Sequence, residues 1–157
     1  LKRFPNLVVT RTFSKAYGLA SLRVGYAVSD AGIADLMNRV RQPFNVNAMA
    51  LAATMTALAE QDYVTESVEL NCRGIGQLTT GLGRLGLDYI PSVANFITFR
   101  VGERAMDVYN ELLQRGVIVR PIGVYEMPQY LRVTTGLEQE NRRFLDSLEG
   151  VLGKLGG

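Results

Sequence analysis

Lys15 lies in Thr12-Phe13-Ser14-Lys15, shortly after the apolar run Leu7-Val8-Val9, with Gly18 three residues on and Arg23 eight residues on. A lysine in a turn at the end of a strand is a candidate nucleophile. Such an amine becomes reactive when partial burial or a neighbouring cation favours its neutral form. A Schiff base with pyridoxal phosphate (PLP), an electron-sink cofactor, is one chemistry that uses this arrangement. Its phosphate needs a cup, for which Ser14 and Thr12 offer hydroxyls and Arg23 a two-pronged guanidinium. The competing reading is a solvated surface lysine, with Gly18 and Gly25 serving backbone geometry alone.

Two further arginines stand in apolar settings, Arg120 in VIVRPI and Arg132 in LRVTT. On a strand Arg132 and Thr134 face away from Leu131, Val133 and Thr135, and Arg120 faces away from Val117 and Val119. Two guanidinium forks so placed could converge on one carboxylate or phosphate. The plainer alternative is a pair of edge-strand charges with solvated heads.

The elements that must position these groups follow from periodicity. Residues 7–13 read as a buried strand and 23–29 as a second. Asp30 caps a helix carrying Ile33, Leu36, Met37 and Val40, and Pro43 stops it. Residues 47–60 are alanine-rich and strongly helical, with their Met and Ala positions read as helix packing. A second long helix is expected from about residue 63 to 82, weakened toward its end by Gly74, Gly76, Gly81 and Gly83. Residues 95–101 read as a strand, and Ala105 to Leu113 as an amphipathic helix ending at Gly116. Residues 117–122 and 131–136 read as strands. Thr135 and Glu138 match a capping box, ahead of a last helix burying Leu137, Phe144, Leu145, Leu148, Val151 and Leu152.

Composition narrows the classes. The chain has 157 residues, enough for one or two domains, with 47% hydrophobic residues and 20% charged ones. A formal net charge of +2 gives no push toward nucleic acid. No apolar stretch is long enough to span a bilayer, and no secretory pattern opens the chain. With one cysteine, Cys72, an internal disulfide is excluded, and that residue reads as helix packing. No histidine is present, so a histidine base or metal ligand within the chain is excluded and no metal site is expected. Tyr17, Asn47 and Asn95 have ordinary uses in a turn, a helix cap and a strand end. GLGRLG (81–86) ends a helix instead of following a strand, so it is no dinucleotide fingerprint.

TFSKAYGLA (12–20) followed by LRVGY (22–26) resembles the PLP-lysine signature of the class I/II aminotransferases, and most closely the histidinol-phosphate aminotransferases. The similarity continues through RQPFNVN (41–47), PSVANFITFRV (91–101), RGVIVRP (115–121) and YLRVTTGLEQEN (130–141), in the family's order. This resemblance implies an α/β chain, the C-terminal part of a fold type I PLP-dependent transferase. Residues 1–46 would be a remnant of the large PLP-binding domain, 47–86 connecting helices, and 87–157 a small C-terminal α+β domain. It implies Lys15 as the Schiff-base lysine and proton shuttle, with Ser14, Arg23 and, more weakly, Thr12 at the cofactor phosphate. Arg132 would clasp the substrate α-carboxylate, and Arg120 would help bind the phosphate of histidinol phosphate.

The implied activity is transamination between glutamate and histidinol phosphate in histidine biosynthesis, by a cytoplasmic homodimer with small-molecule substrates and no nucleic-acid or membrane partner. A threonine-phosphate decarboxylase or another class I/II aminotransferase shares the lysine motif. A reading of another class is a non-catalytic α+β fragment used for association. Leu1 is no start methionine and the chain enters a strand almost at once, so a piece of a longer parent, inactive alone, is the expectation.

Overall fold

The computed structural model describes residues 3–156; Leu1, on which the expectation of a longer parent rests, lies outside them. The elements in order are β1 (Val9–Thr12), β2 (Gly25–Val28), α1 (Ala31–Val40), α2 (Ala48–Ala59), α3 (Gln61–Arg84), β3 (Tyr89–Ile90), β4 (Phe96–Arg100), α4 (Ala105–Gln114), β5 (Arg120–Pro121), β6 (Tyr130–Thr134) and α5 (Glu138–Gly156). The chain divides after Val68 into two compact units, and the division falls inside α3.

In the first unit β1 and β2 pair antiparallel, with Thr12 opposite Gly25. Asp30 caps α1 by accepting from the Gly32 N–H at 2.8 Å, and Asn47 caps α2 by accepting from the Ala50 N–H at 2.8 Å. Both are the side-chain caps that orphan N–H groups at a helix start require. α1 ends at Val40, ahead of Pro43, whose ring and missing N–H forbid continuation. The core of this unit is small: Phe13, Val24 and Ala50, flanked by Tyr17, Leu19, Leu22 and Val46. Residues 7–13 are therefore not the buried strand expected, since Leu7 and Val8 are exposed and a two-stranded sheet offers no second layer to cover them. The packing expected of α2 is confined to Ala50 for full burial, and Met49 and Met55 are exposed.

The second unit is a four-stranded antiparallel sheet in the order β3-β4-β6-β5. Ile97 and Phe99 on β4 and Leu131 and Val133 on β6 point to one face. There they join Leu78 and Leu82 of α3, Val108 and Leu112 of α4, and Phe144 and Leu148 of α5 in one apolar core. Phe99 and Phe144 meet edge-on with centroids 5.6 Å apart. The glycines of α3 do not end it. Gly74 and Gly81 are buried where a Cβ would collide with Thr135 and Leu145 respectively, so they permit close approach of the chain after β6 and of α5.

Four expectations are corrected here. The strand expected over 117–122 shrinks to Arg120–Pro121, because Pro121 has no N–H and the segment is at the sheet edge. Val117 and Val119 are nonetheless buried while Ile118 is exposed. The Thr135–Glu138 capping box does not form: Glu140 accepts from the Leu137 N–H at 2.7 Å, and Asn141 accepts from the Gly136 N–H at 2.9 Å. Leu137 is exposed, not buried, because it precedes the first turn of α5. Cys72 is exposed on α3 and packs in no core. β3 is an element the periodicity did not indicate; two residues are too few to show one.

Candidate functional site

The lysine turn is built by backbone geometry. The Phe13 N–H donates to the Val24 carbonyl (3.1 Å), extending the β1–β2 pairing by one residue. The Leu19 N–H donates back to the Phe13 carbonyl (2.9 Å), closing a loop over residues 13–19. Within it the Gly18 N–H donates to the Lys15 carbonyl (2.9 Å), and Gly18 takes φ +69°, where L side chains are strained. Phe13 is buried under this loop and touches Tyr17 with centroids 4.7 Å apart. Lys15, at the start of that inner turn, is exposed.

Ser14, Arg23 and Thr12, the residues expected at a cofactor phosphate, lie around this turn. The Ser14 N–H donates to Thr12 Oγ1 (3.0 Å), which orders the end of β1. Arg23 Nη1 donates to Ser14 Oγ (3.3 Å) and to the Ala20 carbonyl (2.8 Å). Arg23 itself has φ +53°, a conformation uncommon for any residue other than glycine. Next to it Gly25 lies so close to the facing strand that a Cβ would stand 2.5 Å from the Arg11 carbonyl oxygen. A hydroxyl of the turn that carries the primary amine thus meets a guanidinium from the start of the facing strand. This donor set suits a phosphate on one side and an aldehyde on the other.

The second pair lies on the sheet of the second unit. Register places Arg120 of β5 directly opposite Arg132 of β6, and Arg132 directly opposite Thr98 of β4. Opposed residues in antiparallel strands share a face, with Cβ atoms about 5 Å apart. That face is the one turned away from the core. β6 is an interior strand, so Arg132 is half-buried and only Arg120 stands at an edge. Like charges in direct opposition are unfavourable, and among the described residues neither arginine is part of an ion pair. The Arg132 guanidinium carbon lies 4.7 Å from the ring centroid of Phe96, and the buried Arg132 Nε has no hydrogen-bond partner among the described residues. Sequence reading passed over Phe96 and Thr98, because their nearness to Arg132 depends on the β4–β6 register, which strand periodicity does not contain.

Comparison with known proteins identifies the family. The family model for aminotransferase class I and II matches residues 1–148. The chain belongs to that family. Among curated relatives of this chain, the histidinol-phosphate aminotransferase of Methylobacillus flagellatus is 59% identical over 152 residues, covering 97% of this chain and 41% of the relative. Histidinol-phosphate aminotransferase 2 of Pseudomonas aeruginosa is 57% identical, with the same coverage of 97% and 41%. The chain therefore spans about two fifths of the length of the curated relatives it matches. Among solved structures, histidinol-phosphate aminotransferase from Sinorhizobium meliloti in complex with pyridoxal-5'-phosphate superposes with TM-score 0.87 at 31% identity, over 96% of this chain and 42% of that one. L-threonine-O-3-phosphate decarboxylase from Porphyromonas gingivalis gives TM-score 0.84 at 28% identity, over 95% and 47%. These neighbours show the expected α/β, fold type I transferase architecture. No helix among the described residues is long and apolar enough to cross a membrane. Among those residues no cluster of potential metal ligands occurs.

Proposed function

We propose that this chain carries the reactive lysine, the phosphate cup and the substrate arginines of a PLP-dependent aminotransferase. The amino group passes between the glutamate/2-oxoglutarate and histidinol phosphate/imidazole acetol phosphate couples, a step of histidine biosynthesis. The observation that carries the reading is the turn in which Lys15 adjoins Ser14, whose hydroxyl is bonded to Arg23 at 3.3 Å. Ser14 and Arg23 hold the cofactor phosphate, with Thr12 ordering Ser14 through the Ser14 N–H. When bound, PLP supplies an electron sink for the carbon acid. Lys15 tethers the cofactor and moves the proton at substrate Cα, so one amine serves as nucleophile and base.

Arg132 takes the substrate carboxylate and Arg120 the substrate phosphate. Their direct opposition without a carboxylate partner supports an anion as the group that relieves the repulsion. The domain reading of residues 1–46, 47–86 and 87–157 as cofactor-domain part, connecting helices and small domain accompanies this proposal. So do a homodimer and a cytoplasmic location. A second reading, decarboxylation of a phosphorylated amino acid, is favoured by the structural likeness to the threonine-phosphate decarboxylase.

The test is chemical. The chain is mixed with PLP, reduced with borohydride and digested, and the modified peptide is mapped. Label concentrated on Lys15 over Lys2 and Lys154 supports the cup; even labelling of all three lysines removes it. Product analysis of the full-length protein with histidinol phosphate plus 2-oxoglutarate, and with threonine phosphate, separates transamination from decarboxylation.

A further inference from the structure

We infer that Phe96 is a positioning residue for Arg132, holding its guanidinium flat so that the terminal nitrogens present a ready fork to a substrate anion. The inference rests on the anion reading of the Arg120–Arg132 pair and adds the residue that orients it. Phe96 is opposite Thr134 on β6, and Thr98 is opposite Arg132. Phe96 is therefore the diagonal neighbour of Arg132 on the same sheet face, within reach for an aromatic and a long side chain. The guanidinium carbon is 4.7 Å from the ring centroid. A cation over a ring face is attracted by the ring quadrupole, more strongly where water is excluded.

The buried, unpartnered Arg132 Nε shows what the stack accomplishes. A buried donor without a partner is unfavourable, and here the ring compensates in place of a hydrogen bond. No carboxylate has to be spent on Arg132, which would neutralise it and compete with an incoming anion. An arginine with free rotamers would lose that freedom on binding; one stacked in advance loses less. Phe96 is on the side of β4 away from Ile97 and Phe99, so this placement is separate from core packing.

The experiment is an NMR titration of the arginine Nε–Hε signals of this chain with inorganic phosphate, whose oxygens the Arg132 fork takes as it takes a carboxylate's, in the wild type, Phe96→Leu, Phe96→Ile and Phe96→Tyr. In the wild type the Arg132 Hε signal stands upfield, shielded by the ring, and moves on adding phosphate. Removing the ring in Phe96→Leu or Phe96→Ile returns the signal downfield and weakens phosphate binding roughly tenfold; Phe96→Tyr keeps both properties. Two non-aromatic variants guard against one that fails to fold, checked by amide dispersion. Wild-type-like phosphate affinity in a folded non-aromatic variant overturns the inference alone. A wild type in which phosphate moves no Arg132 signal overturns the anion reading of the pair and this inference with it.

Discussion

The two units of the chain differ in how their apolar residues are used. The second closes a core in which Leu78, Ile97, Phe99, Leu131 and Leu148 are wholly inaccessible. The first buries Phe13, Val24 and Ala50, while Leu36, Val40, Phe44, Met49 and Met55 are 60%, 82%, 96%, 76% and 74% exposed. Yet both have regular strand pairing, and α1 and α2 of the first carry side-chain caps. Local chemistry thus forms elements in both, and only layering decides whether those elements gain hydrophobic stabilisation. The unit with the arginine pair is self-supporting. The unit with the lysine turn holds its turn through backbone bonds and a small aromatic cluster.

The sharpest way to break this contrast is a matched pair of truncations. Leu148→Ala, at 0% exposure, removes a side chain from the centre of the second core and is expected to destabilise that unit by about 2–5 kcal/mol. Leu36→Ala, on an exposed face of α1, is expected within about 0.5 kcal/mol of wild type. Urea unfolding followed by circular dichroism measures both. Equal losses would show that α1 is covered in solution, by another copy or otherwise, and the contrast would vanish.

A second pair probes glycines in one helix. Gly81→Ala would drive a methyl into Leu145, so despite better helix propensity it is expected to destabilise by about 1–3 kcal/mol. Gly83 has open space around its Cβ position, and Gly83→Ala should stabilise by up to about 1 kcal/mol. Opposite signs two residues apart on α3 would tie the close packing to one helix face. Matching signs would refute that packing.

Much of the second unit was legible because its strands and helices are amphipathic, and one sheet face is buried by helices, the arrangement that periodicity encodes. β5 was read too long because Val117 and Val119 alternate like a strand while Pro121 and the sheet edge limit pairing to two residues. The α3 glycines read as weakness because composition does not reveal that Thr135 and Leu145 come near. The lysine turn was legible as a run of contiguous residues, and Ser14 and Arg23 do meet. Phe96 was not, since a diagonal between Phe96 and Arg132, on strands far apart in sequence, is set by register alone. Burial in the first unit was misjudged for the reverse reason: apolar spacing specifies which face wants cover, not whether this chain supplies it.

Within the first unit a glycine is expected to act on the site more than on stability. In Gly25→Ala the new Cβ meets a backbone atom, the Arg11 carbonyl oxygen, which cannot rotate aside as a leucine can. The β1–β2 pair must separate locally, and Arg23 and Val24, which hold the turn, move with it. Borohydride trapping with PLP is expected to lose its preference for Lys15, while the thermal transition of the second unit changes by less than about 2 °C. Retained selectivity would show that the turn is held from within, without the strand pair.

The smallest expected effect tests whether the units are independent. Asp30 accepts from the Gly32 N–H, and α1 has no buried residue to hold it otherwise. Asp30→Ala leaves that N–H to water and should weaken α1 by about 1 kcal/mol. Because α1 contributes no buried side chain to either core, the loss has nowhere to propagate. Hydrogen exchange should therefore speed up about fivefold for the α1 amides, since 1 kcal/mol is a factor of about five, with α4 and α5 unchanged. Faster exchange in α5 as well would mean that the first unit is coupled to the second core, and that the apparent self-sufficiency of the second unit is false.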